Sequence, residues 1–218
     1  VGIGYDGDAD RIGAVDERGA ILWGDRLMIV YARGILTRRP GTTFISEVKA
    51  SQCLYDDIAA KGGRPIMWKT GHSLMKAKLK AESAVLAGEM SGHMFFADRY
   101  FGFDDAIYAS CRLVEILAKT KRSLSSLVAD LPQTTVTPEI RVDCPDTLKF
   151  QLVDQVRTQL AAYLKDGKPV GASNLRMREL VTIDGVRAIF EDGWGLIRAS
   201  NTQPALVLRF EAPSPARL

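Results

Sequence analysis

The stretch "TFISEVKASQCLYDDIAAKGGRPIMWKTGHSLMKAKLKAESAVLAGEM", residues 43–90, decides the fold. Three short apolar runs, TFISEV at 43–48, RPIMWK at 64–69 and AVLAGEM at 84–90, read as strands. The segments between them, SQCLYDDIAAKGG at 51–63 and SLMKAKLKAES at 73–83, read as helices. Ser51 is placed to cap the first of these, and Gly62 to close it just past its end. Strands alternating with helices are the pattern of βα units on a largely parallel sheet.

Outward from this stretch the pattern continues, then changes. Downstream, DDAIYASCRLVEILAKTK at 104–121 is a long amphipathic helix. Upstream, VGIGY and RIGAVDE are strands on either side of an aspartate-rich loop, and ERGA turns the chain into ILW. A helix follows over about 25–37, with Asp25 as its expected N-cap. After Leu131 the segment PQTTVTPE reads as a linker. Beyond it come a strand IRVDC, a helix over about 146–164, and strands with hairpin signals at Asp184-Gly185 and Asp192-Gly193. The expected fold class is α/β: a βα-unit mixed-sheet domain followed by a small α+β domain with an antiparallel sheet.

The 218 residues are 46% hydrophobic and 25% charged with a net charge of +3, an ordinary globular composition. The basic excess forms no Lys/Arg block, which argues against nucleic acid as a partner. The longest apolar run, LMIVYA at 27–32, is far short of the roughly 20 residues that span a bilayer, so no membrane partner is expected. Cys53, Cys111 and Cys144 are far apart and without paired metal spacing, and are expected to be buried, reduced thiols of a cytoplasmic protein. The chain opens on Val1, and a fragment of a longer protein is expected.

Four loops carry chemistry. In DGDADR, Asp6, Asp8 and Asp10 alternate and Arg11 closes the set. Two like charges about 4 Å apart cost about 1 kcal/mol in water and about 4 near a protein surface, so a counter-charge is required. The D-x-D-x-D opening and Glu17 at the twelfth position echo a calcium loop, but Arg11 holds the position that needs Gly, and the flanks are strands. Three oxygen donors on a strand-to-strand turn suit Mg2+, with Arg11 offering a fork to phosphate oxygens. In WKTGHSLMK, Lys69, His72, Ser73 and Lys76 surround Gly71 at a strand-to-helix junction, where free N–H groups attract an anion. In GEMSGHMFF, Glu89, Ser91 and His93 alternate and are expected on one side of an extended segment, fit to hydrogen-bond sugar hydroxyls. In RASNTQP, Arg198, Ser200, Asn201 and Thr202 give a donor-rich loop suited to a phosphate.

DGDADR, TGHS, GEMSGH and RASNTQP, in this order, resemble the α-D-phosphohexomutase superfamily, and within it the bacterial phosphomannomutase/phosphoglucomutase group. The resemblance spans essentially the whole chain. It implies that 1–20 end a second domain, 21–132 form a third and 133–218 form most of a fourth that lacks its last helix. A first domain with a phosphorylated serine is then missing. It implies the interconversion of hexose 1- and 6-phosphates of mannose and glucose, through a phosphoserine and a bisphosphorylated sugar, with a glucose 1,6-bisphosphate-type activator. By position, Asp6, Asp8 and Asp10 would hold one Mg2+, and Arg11 would reach the phosphate near the serine. Lys49 and His72 would lie near the reacting hydroxyl. Glu89 and Ser91 would bind sugar hydroxyls, with His93 as proton carrier, and Arg198, Ser200, Asn201 and Thr202 would clamp the phosphate that does not react. SNT and GEMSGH depart from the SGT and GEQSGH of phosphoglucosamine mutases, the nearest alternative. A non-catalytic phosphosugar- or Mg2+-binding module is the other, and without the serine the fragment alone is expected to be inactive.

Overall fold

The computed structural model describes residues 1–171 and 174–218. They form two compact bodies, Val1–Leu131 and Pro132–Leu218.

The first body begins with β1 (Gly2–Tyr5), β2 (Ile12–Val15) and β3 (Ile21–Leu22), which form a small antiparallel sheet in that order. Then follow α1 (Gly24–Leu36), β4 (Thr43–Glu47), α2 (Gln52–Ala60), β5 (Arg64–Trp68), α3 (His72–Ala81), β6 (Leu86–Gly88), β7 (Met94–Phe96), α4 (Ala106–Thr120) and the short α5 (Leu124–Leu127). The main sheet has the order β5-β4-β6-β7. β4 runs parallel to β5 and β6, and β7 returns antiparallel from β6. This is the mixed sheet that the alternating pattern of residues 43–90 announced.

Side-chain alternation divides the sheet between two cores. Phe44, Leu86, Met94 and Phe96 face α1, α2 and α4 in the large core, while Ile45, Ala87 and Phe95 join Met75 and Leu79 of α3 in a smaller one. All five residues of β4 are buried, as expected of a central strand covered on both faces. Ten of the thirteen residues of α1 are buried, so this helix runs through the interior.

Ser51 caps α2 by accepting from the Cys53 N–H, and Gly62 follows with φ +79. Asp25 does not cap α1. The helix starts one residue earlier because the Gly24 N–H is taken by the Met90 carbonyl, which leaves Asp25 in the first turn, where its Oδ2 accepts the Ser51 N–H at 2.9 Å. Cys53 and Cys144 are buried, but Cys111 lies with Ile107 and Val114 on the outward face of α4 and is exposed.

The second body comprises β8 (Thr135–Val136), β9 (Ile140–Asp143), α6 (Asp146–Asp166), β10 (Met177–Val181), β11 (Val186–Phe190), β12 (Trp194–Ala199) and β13 (Ala205–Ala212). Its sheet is antiparallel, ordered β10-β11-β12-β13-β8, and β9 also pairs with β13. Both hairpins turn where Asp-Gly pairs predicted. The linker is not wholly irregular: Thr135 and Val136 pair with Ala212 and Glu211, because β13 extends past β9 and offers an open edge. An apolar cavity of about 380 Å³ lies beside α6, lined by Val156, Leu160, Ala188, Phe190, Ile197 and Phe210 among others. Among the described residues, no helix is long and apolar enough to cross a membrane.

Candidate functional site

The first body gathers three of the four loops at the ends of its strands. β1 and β2 present the aspartate loop, in which one carboxylate oxygen each of Asp6, Asp8 and Asp10 lies within 4.8 Å of the others. Ala9 adopts φ +59 at the tip, and its carbonyl accepts the Ala106 N–H at the start of α4 at 3.1 Å. Arg11 is half exposed and turns back on the set, with Nε 2.6 Å from Asp6 Oδ2 and 3.6 Å from Asp10 Oδ1. Desolvation opposes charge on Asp6, but the Arg11 N–H and guanidinium outweigh it and hold the carboxyl below its ordinary range. Asp10 Oδ1 is buried and has no hydrogen-bond partner among the described residues. A buried carboxylate oxygen with no hydrogen bond, among three converging acids, fits a hard divalent cation.

GEMSGH is a turn and not the extended segment that alternation implied. It is the tight connection from β6 to β7, closed by Glu89 N–H to His93 O at 2.9 Å and Gly92 N–H to Glu89 O at 3.0 Å. The turn brings the three polar groups together all the same. His93 Nδ1 lies 2.9 Å from Glu89 Oε2 and 3.2 Å from Ser91 Oγ. Gly92 has φ +104, and a Cβ there would stand 2.5 Å from the Ile12 carbonyl oxygen, so only glycine allows the turn to lie against β2. The Ile12 N–H donates to Gly92 O at 3.1 Å, and Arg11 bridges to His93. Backbone pairing thus fixes the GEMSGH turn beside the aspartate loop.

Electrostatics join them further. His93 Nε2 lies 3.4 Å from Asp10 Oδ2. Burial disfavours the His93 cation, but the Glu89 hydrogen bond and the charges of Glu89, Asp10 and Asp104 raise its pKa above the ordinary value. Burial likewise opposes charge on Glu89, and the His93 hydrogen bond and the Gly71 N–H reverse that, lowering its pKa. Gly71 N donates to Glu89 Oε1 at 2.7 Å, so the N–H expected to meet an anion at the start of α3 already has a carboxylate. His72 opens α3, largely exposed, with Nδ1 4.0 Å from Asp104 Oδ2, and its ring centroid is 6.3 Å from that of His93. Lys76 Nζ lies 3.2 Å from Asp104 Oδ1. Lys49 is close by, its ammonium 3.5 Å from Glu47 Oε2.

The second body holds the remaining residues in and beside its own loop. Arg198 lies near the end of β12, not in the loop, and forks onto Asp184 with Nε–Oδ2 3.2 Å and Nη2–Oδ1 3.3 Å. Ser200 Oγ accepts from the Thr202 and Gln203 N–H groups at 3.4 and 3.2 Å, while Asn201 and Thr202 are exposed. Lys149 of α6, almost wholly buried, donates to Ser200 O at 2.6 Å and Gln203 O at 3.0 Å.

Sequence reasoning passed over Glu47, Gly24, Asp104 and Lys149. Glu47 did leave a signal, a lone carboxylate at the end of an apolar strand. Gly24 left none. A Cβ there would meet Glu89 O at 2.2 Å and Met90 O at 2.8 Å, a closeness set only by the packing of α1 under the turn.

Comparison with known proteins identifies the architecture. Residues 23–135 match the family model for phosphoglucomutase/phosphomannomutase, alpha/beta/alpha domain III, and residues 139–218 match that for the C-terminal domain. A phosphomannomutase/phosphoglucomutase of Pseudomonas putida is 47% identical over 218 residues, all of this chain and 44% of that protein. A phosphoglucomutase of Neisseria gonorrhoeae is 44% identical over 218 residues, 45% of its length. A crystal structure of a phosphoglucomutase/phosphomannomutase family protein from Burkholderia thailandensis superposes with a TM-score of 0.85 at 46% identity, covering 99% of this chain and 43% of that one. The chain spans about half the length of the curated relatives it matches. With both family models accounting for nearly all of its residues, the chain belongs to the phosphoglucomutase/phosphomannomutase family.

Proposed function

We propose that these residues supply the metal, sugar and phosphate loops of a cytoplasmic phosphohexomutase that interconverts hexose 1- and 6-phosphates of mannose and glucose. The observation that carries this reading is the pairing of the aspartate loop with the GEMSGH turn, through Ile12 N–Gly92 O at 3.1 Å and His93 Nε2–Asp10 Oδ2 at 3.4 Å. The pairing supports the reading because phosphoryl transfer between sugar oxygens calls for a cation site and a hydroxyl-reading site side by side.

Asp6, Asp8 and Asp10 would hold one Mg2+, which supplies charge neutralisation to a transferring phosphoryl group. Arg11 offers its guanidinium to phosphate oxygens once released from Asp6. Lys49 and His72 stand by the reacting hydroxyl. Glu89 and Ser91 take sugar hydroxyls, and His93, raised in pKa by Glu89 and the nearby aspartates, carries a proton to or from a sugar oxygen. In the second body, Arg198, Ser200, Asn201 and Thr202 grip the phosphate that does not react. The phosphoryl group exchanges with a serine of the longer protein, and a glucose 1,6-bisphosphate-type activator primes that serine. The 218 residues alone would therefore bind without turnover.

Calorimetric titration with mannose 6-phosphate, glucose 6-phosphate and glucosamine 6-phosphate in the presence of Mg2+ tests the reading. Saturable binding of the first two, lost in Ser91→Ala, is expected. Preference for the amino sugar would favour a phosphoglucosamine mutase, and binding indifferent to Ser91 would refute the sugar assignment.

A further inference from the structure

Glu47 is fully buried and belongs to none of the four loops. It ends β4, the central parallel strand, and its carboxylate reaches the loops that follow both neighbouring strands. Oε2 accepts from Thr70 Oγ1 at 2.8 Å, after β5, and Oε1 accepts from the Met90 N–H at 2.9 Å, after β6. Lys49 Nζ lies 3.5 Å from Oε2, on a side chain only 12% exposed. The next residue of the β5 loop, Gly71, donates instead to Glu89. Two carboxylates therefore brace the same loops: Glu47 through Thr70 and Met90, Glu89 through Gly71 and His93.

Placing this acid in the interior has a cost. Burial pushes the Glu47 carboxyl up, the Lys49 charge opposes that, and the Glu89 charge adds to the rise. An apolar residue of the same size would avoid the desolvation, so packing alone gives no reason for an acid there. Ends of parallel strands are where α/β sheets place ligands, and that is where Glu47 acts.

We propose that Glu47 is a positioning residue: its carboxylate holds the Lys49 ammonium at the ligand loops and keeps the segments around Thr70 and Met90 in register. The role of Lys49 toward a phosphate rests on the proposed function, whereas the hold of Glu47 on Lys49 does not. A phosphate arriving at Lys49 competes with Glu47 for the ammonium, so the residue also sets how firmly that cation is offered.

The test is the acetylation rate of Lys49 in the 218-residue chain, read by peptide mass spectrometry with exposed Lys168 as internal reference. Glu47→Gln removes the charge but keeps an oxygen for the Met90 N–H. It should speed Lys49 acetylation about fivefold, the equivalent of an ion pair of ~1 kcal/mol, and leave Met90 amide exchange slow. Glu47→Asp, which keeps the charge, should return the rate toward that of the parent. Equal Lys49 rates in the parent and the glutamine variant would overturn the proposal. Should the glutamine variant fail to fold, Thr70→Val replaces it. Faster Lys49 acetylation or Met90 exchange there supports the shared brace, and no change in either overturns it. Glucose 6-phosphate added to the parent chain separates the two readings: if it fails to protect Lys49 while the Glu47→Gln effect persists, the phosphate role falls and the positioning role stands.

Discussion

Asp10 faces His93, Oδ2 to Nε2, across 3.4 Å, while its other carboxylate oxygen is buried with no hydrogen-bond partner among the described residues. One aspartate thus belongs to the acid triad proposed to hold a cation and also touches the imidazole proposed to carry a proton. A divalent ion drawn to the triad must change the field at the imidazole.

Mg2+ titration is accordingly expected to shift the His93 ring resonances. Asp8→Asn should weaken the titration by at least about tenfold, since even losing a group that only supports a metal ligand costs about 10–100-fold. His93 resonances that respond equally in the parent and the Asp8→Asn chain would place the ion away from the triad.

Gly24 gives a test in which two rules oppose each other. Inside a helix, alanine is favoured over glycine by about 1 kcal/mol. Here a Cβ would stand 2.2 Å from the Glu89 carbonyl oxygen and 3.0 Å from the Gly92 nitrogen, both backbone atoms that cannot step aside cheaply. Overpacking costs about 1–3 kcal/mol, so Gly24→Ala should destabilise the chain on balance. A lowered urea midpoint, with faster exchange of the Gly92 amide, is the expected result. A raised midpoint would show that the turn yields to the helix.

Glu115 governs part of the acid limb of stability. Arg99 and Lys119 hydrogen-bond its carboxylate and hold its pKa down at about 2, from an ordinary 4.5. A carboxyl depressed in the fold contributes stability above its unfolded pKa, and loses it as pH falls from about 4.5 toward 2. Partial exposure limits that contribution to about 0.5–1 kcal/mol. Glu115→Gln should lower the urea midpoint near pH 6 and flatten its fall below pH 4.5. An unchanged slope would remove Glu115 from the acid response.

The order of elements was legible because residues 43–96 alternate in a way only a two-faced sheet satisfies: Phe44 and Ile45, Leu86 and Ala87, Phe95 and Phe96 each point to opposite cores. Asp-Gly pairs marked both hairpins, since their backbones suit tight turns. The candidate residues were legible as types, because chemistry chooses them. Their partners were not. Nothing local tells that the Gly71 N–H meets Glu89, that Asp25 reaches Ser51 and not its own helix end, or that Lys149 holds the Ser200 loop. Those contacts join residues 18 to 51 positions apart and exist only once the strands are ordered.

Arg198 and Asp184 carry the last prediction. Their side chains are 8% and 13% exposed, and the guanidinium forks onto both carboxylate oxygens. Removing one partner of such a pair leaves the other buried without its counter-charge, a loss of about 3 kcal/mol. Arg198→Ala should therefore lower the stability of the second body as well as its proposed grip on phosphate, and binding loss alone does not separate the two. Arg198→Lys does. It keeps the charge but cannot present two parallel N–H groups, so it should recover part of the stability while phosphate affinity stays weak. Trp194, buried with its indole N–H on Glu211, reports unfolding of this body by fluorescence once Trp23 and Trp68 of the first body are replaced by Phe. If the lysine variant binds phosphate as tightly as the parent chain, Arg198 serves the fold through Asp184 and the phosphate grip belongs to Ser200, Asn201 and Thr202 alone.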